Sequence, residues 1–90
     1  MFQLHRPRSA AALSQRLETT DFGDLFETAD LIAGVRADLR HRGPGVLTLH
    51  VEAACRGVEC AELRDKHAAG ARLRTAYAEL LEDAPVAAAA

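Results

Sequence analysis

The hydrophobic period of this chain changes within Val46–Tyr77. From Leu47 to Ala53, apolar Leu47, Leu49, Val51 and Ala53 alternate with polar Thr48, His50 and Glu52. A period of two predicts a half-buried strand over 46–53. From Cys60 the stripe Cys60, Leu63, His67, Gly70, Leu73, Tyr77 and Leu80 runs at spacings of three and four. That period predicts a helix over about 59–82, with Glu62 and Lys66 as an i,i+4 pair on its outer side.

Upstream, Phe2-Gln3-Leu4-His5 alternates and predicts a short first strand, broken by Pro7. Ser9 is a good N-cap, and Ala10, Leu13 and Leu17 place one apolar face on a helix over 9–19. Thr19-Thr20-Asp21 predicts a turn and a second cap. The helix after it, 22–42, carries a broad apolar face of Phe22, Leu25, Phe26, Ala29, Ile32, Ala33 and Leu39, flanked by Leu31 and Val35. Asp24, Glu27 and Asp30 enrich its start in acid and Arg36, Arg40 and Arg42 its end in base, which complements the helix dipole. Gly43-Pro44-Gly45 ends it.

These elements predict an α+β domain of order β-α-α-β-α, with two short strands and three helices packed on the sheet. A helical reading of 46–56 is the alternative. It puts Leu47, Val51 and Ala54 on one face and gives an all-α four-helix bundle.

Ninety residues predict one small domain, 1–83, followed by an Ala-rich tail, 84–90, that is expected to be disordered. The core is thin, because the chain has no tryptophan, one tyrosine and three phenylalanines. A domain this small is only marginally stable alone, so a partner is expected. Two exposed strands would favour a homodimer, with the sheet continuing across a two-fold axis.

The net charge of −2, with both signs mixed, speaks against a nucleic-acid binder and a polybasic membrane anchor. Ten of the eleven basic residues are arginine, which reads as a GC-rich, bacterial coding bias. The sequence holds no apolar run long enough to span a bilayer and no signal-peptide h-region. Two cysteines without an export signal predict reduced thiols in the cytoplasm.

Candidate chemistry gathers near the predicted strand-to-helix junction. His50, Cys55, Cys60 and His67 are zinc-compatible ligand types. Cys60 and His67 lie about 10 Å apart along one helix, too far for one ion. A transition-metal or thiol site would therefore use His50, Cys55 and Cys60. The plainer reading of both cysteines is a core or junction role, with no metal. His5, His50 and Glu52 would lie on the polar side of paired strands, where a carboxylate could orient an imidazole. Asp24, Glu27 and Asp30 are ordinary helix-start acids. No nucleotide-binding, nucleophile-elbow or zincin motif is present, so catalysis is not expected.

Leu47-Thr48, Glu52-Ala53-Ala54, Gly57-Val58 and Leu63-Arg64 together resemble the start of an excisionase-type or MerR-type winged helix. The resemblance covers about twenty residues. It would imply an extended entry, a short helix, a turn at Gly57-Val58 and a DNA-reading helix. Glu59, Glu62 and Asp65 on that helix would repel phosphate.

The expected function is a non-enzymatic protein-interaction or regulatory module, homodimeric and binding a further protein. Its anchors would be Phe22, Phe26, Ile32 and Leu39 on the 22–42 helix.

Overall fold

In the computed structural model, residues 9–89 are described, with side chains as far as Asp83. Four α-helices follow in order: α1 (Ala10–Thr19), α2 (Leu25–Arg42), α3 (Val46–Cys60) and α4 (Lys66–Ala89), with a 3-10 turn at Leu63–Asp65. No strand occurs among the described residues. The α+β expectation is thereby corrected to an all-helical fold. The predicted strand 46–53 is the first half of α3, so no sheet edge is available there for pairing across a two-fold axis. The other predicted strand, Phe2–His5, lies outside the described residues.

The first two helices start as local chemistry dictates. Ser9 accepts a hydrogen bond from the Ala12 N–H and caps α1. Asp24 accepts from the Glu27 N–H and caps α2, and Glu27 reaches back to accept from the Asp21 N–H. This is a capping-box arrangement extended by one turn of chain. Asp30, third in that acidic series, pairs with Arg16 of α1 at 2.9 Å. At the far end Gly43 takes φ 86°, a left-handed conformation that glycine adopts freely, and its N–H closes on the Leu39 carbonyl.

The core is built from Leu13 and Leu17 of α1, Leu31, Ile32, Val35 and Leu39 of α2, Val51, Cys55 and Val58 of α3, and Leu73, Ala76, Tyr77 and Leu80 of α4. The buried face of α2 is turned about a quarter turn from the expected one. Thr28, Leu31 and Val35 face inward, while Leu25, Phe26, Ala29 and Ala33 face solvent. Phe22 does reach the core, but from the turn before α2. Its ring lies on Gly70, where a Cβ would stand only 2.7 Å from the ring Cγ.

The chain breaks between Cys60 and Lys66, where a single helix was expected. Lys66, the only lysine, is buried and donates from Nζ to the Val58 carbonyl at 2.7 Å. That carbonyl, at the end of α3, otherwise accepts only a long bond of 3.4 Å from the Ala61 N–H. Glu62 has extended backbone and pairs with Arg64, not with Lys66. The expected stripe holds from Gly70 onward. Ahead of Gly70, Leu63 in the break and His67 in the first turn of α4 are exposed.

Candidate interaction face

Helix α3 starts without a side-chain cap. Its Gly45 carbonyl accepts from the Leu49 N–H and the Thr48 hydroxyl. The core claims one side of it: Val51, Cys55 and Val58, at i, i+4 and i+7, are fully buried. The opposite side is also apolar. Val46, Leu49, Ala53, Gly57 and Cys60 follow one another at spacings of three and four and all are exposed, Val46 by 82% and Leu49 by 68%. A helix that is apolar on both sides normally lies between two partners. Here the described residues supply one of them.

Beside this stripe runs a groove of about 500 Å³ between α3 and α4. Its floor is made of small residues, Ala53, Ala54 and Gly57 from α3 with Ala69 and Ala76 from α4, and its rim carries His50, Arg72, Thr75 and Glu79. Small floor residues let another backbone approach closely. Among the described residues, nothing beyond its own helix turn lies within 4 Å of where a Gly57 Cβ would be.

Two polar clusters fix the helices that frame this face. Arg36 of α2 forks between two carboxylates of α3, reaching Glu52 at 2.8 Å and Glu59 at 2.7 Å. Glu52 and Glu59 are seven residues apart and so share one face of the helix, and a single guanidinium holds two turns of α3. The pairing lowers the pKa of Glu59 and raises that of Arg36. On the other side, the buried Tyr77 hydroxyl donates to Asp38 Oδ2 at 2.7 Å, and Arg42 Nε donates to the same oxygen at 2.8 Å. Burial, and then the bond to Asp38, push the Tyr77 pKa up.

The residues of the expected metal or thiol site do not converge. His50, Cys55 and Cys60 all lie on α3, each five residues from the next. Five residues rotate the helix by about 140°, so the three side chains leave on three different sides. Cys55 is buried and Cys60 exposed. Burial pushes the Cys55 thiol up to about 12, with Glu52 and Glu59 adding to the rise and Arg36 opposing it. Among the described residues, no group of three His, Cys, Asp or Glu side chains is placed to hold a metal ion. Of the expected histidine–carboxylate cluster, Glu52 is taken by Arg36, and His5 lies outside the described residues. Gly57-Val58 sits inside α3 and not in a turn, so the winged-helix topology implied by the resemblance is corrected as well.

Of the four expected anchors, Phe22, Ile32 and Leu39 are packed in the chain's own core, and Phe26 stands 91% exposed beside Leu25. Sequence reasoning missed the outer face of α3. Its signal was present but was read as strand alternation. No helix among the described residues is long and apolar enough to cross a membrane.

No family model matches this chain, and no curated protein or solved structure matches it significantly. Its function is therefore read from the face itself.

Proposed function

We propose that this protein is a small non-catalytic interaction module that assembles through the outer apolar face of α3 and the adjoining α3–α4 groove. The observation that carries this is the second apolar side of α3, with Val46 and Leu49 open to solvent on a helix whose other side is fully buried. Exposed apolar surface of this kind, rimmed by polar groups, marks docking surfaces. The groove dimensions and the small floor suit a helix laid along it. The inert, buried Cys55 and the divergence of His50, Cys55 and Cys60 favour this reading over metal or thiol chemistry.

A photo-crosslinking amino acid at position 49 tests it in cells. A covalent adduct is expected at 49 and not at Glu18, an exposed position on α1. Equal labelling at both positions, or none at 49, would remove the α3 face as a binding surface. Leu49→Asp should abolish the partner interaction while far-UV circular dichroism stays unchanged.

A further inference from the structure

We infer that the occupant of the α3 face is a second copy of this chain, bound antiparallel about a two-fold axis beside Ala53. This rests on the reading of the protein as an interaction module and supplies the partner.

The stripe is complementary to its own reverse. Its N-terminal half is large, with Val46 and Leu49, and its C-terminal half is small, with Gly57 and Cys60. A two-fold axis passing by Ala53 pairs residues whose numbers are equally spaced about it. Leu49 then lies over Gly57 of the second copy, Val46 over Cys60, and Ala53 over Ala53. A point-symmetric interface requires this kind of self-complementarity: each large residue must find a small one on the same patch read backwards. The row Leu49–Ala53–Gly57 is an i±4 ridge. The full stripe, at spacings of three and four, suits the shallow crossing of about 20° that keeps its ends facing each other, and small residues at the crossing bring the axes close. The open space around Gly57 is the notch that would receive Leu49.

Charge on the groove rim agrees. Arg72 and Glu79 line the same groove from α4, two turns apart. An antiparallel copy reverses their order, so the basic end of one rim faces the acidic end of the other. A parallel pairing would stack Leu49 on Leu49 and leave the space at Gly57 empty.

Cysteine placement tests the register directly. Ala53→Cys with Cys60→Ser should form an intermolecular disulfide under mild oxidation, because position 53 meets its own copy at the axis. Val46→Cys with Cys60 retained should do the same through 46–60 pairs, and Cys60 alone should not. In light scattering under reducing conditions the wild-type chain should be a dimer at micromolar concentration. Gly57→Glu should weaken the dimer by about tenfold or more by blocking the notch. Because none of the described residues crowds a Cβ at Gly57, this variant should melt no lower than wild type when both are diluted to monomer.

A dimer without disulfides at 53 or 46–60 would overturn the register. A monomer at every concentration would overturn the second copy as occupant. In that case a photo-adduct at 49 with a different protein would leave the interaction module standing, and no adduct would remove both.

Discussion

At the scale of single residues, burial decides which functional groups are available. Cys55 and Cys60 are five residues apart on one helix, yet one is enclosed by the core and the other is open. A thiol whose pKa is raised by burial has little thiolate at neutral pH and little access to reagent. Iodoacetamide should therefore label Cys60 in the native protein and Cys55 only once denaturant is added. Labelling of both at equal rates would place Cys55 outside the core. Tyr77 is the other decisive residue, since its hydroxyl and Arg42 share one oxygen of Asp38. Tyr77→Phe removes a bond to a charged acceptor and should lower unfolding free energy by about 1.5–3 kcal/mol in a denaturant titration.

At the scale of elements, short-range signals were read well. The N-cap at Ser9, the length of α1 and the Gly43-Pro44-Gly45 stop were all legible, because each is decided by a few adjacent residues. The strand over 46–53 was misread for a physical reason. Helix α3 carries an inner row at Leu47, Val51, Cys55 and Val58 and an outer row at Val46, Leu49, Ala53 and Gly57. Superposed in sequence, the two rows make apolar residues fall at 47, 49, 51 and 53. A helix with two apolar sides imitates a period of two. The misreading and the missed interaction face thus have one cause. The divergence of His50, Cys55 and Cys60 followed from the same helix, since an extended strand and junction would have allowed them to meet.

Glycine at 70 tests how α4 packs. Helix propensity alone would make Gly70→Ala stabilising by about 1 kcal/mol. The Cβ would instead meet the buried Phe22 ring, and overpacking of this kind costs about 1–3 kcal/mol. The clash runs along one edge of a ring enclosed in the core, so it should cancel or exceed the gain. Thermal melts should show a variant no more stable than wild type. A clear rise in melting temperature would show that the Phe22 ring is free to move aside. At Gly57, with open space around it, the same substitution should raise the melting temperature of the monomer.

At the scale of the whole molecule, linked protonation bounds the stable pH range. Glu59 has a folded pKa below its ordinary 4.5 because of its bond to Arg36. Its contribution is complete above that value and is lost as pH falls through the lower folded value. Glu59 is about half exposed, so the effect is small. Tyr77 and Cys55 act at the other end. Both have raised folded pKa values, so their contributions are complete below the ordinary values of 10.0 and 9.0. Those contributions decline as pH rises past these values toward the folded ones. Stability should hold level through neutral pH and fall from about pH 9 upward. As the only tyrosine, Tyr77 reports on this directly: tyrosinate absorbance should appear together with loss of helical signal. Ionisation near pH 10 with the helices intact would show that the hydroxyl is not enclosed.

The sequence by itself determined where α1 begins, where α2 stops, and that the chain from Gly70 onward is a helix with Gly70, Leu73, Tyr77 and Leu80 inward. It did not place the start of α2, which is at Leu25 behind an Asp24 cap and not at Phe22. Caps, stops and a single apolar stripe are local, and the chain carries them openly. Tertiary structure decided the rest. It turned α2 so that Phe26 faces outward while Phe22, Ile32 and Leu39 face inward, and it sent Lys66 to the end of α3 in place of Glu62. It also chose which apolar side of α3 to bury. Two apolar sides on one helix are equivalent by pattern, and only the position of α4 and the Arg36 bridge to Glu52 and Glu59 make one of them core and the other surface.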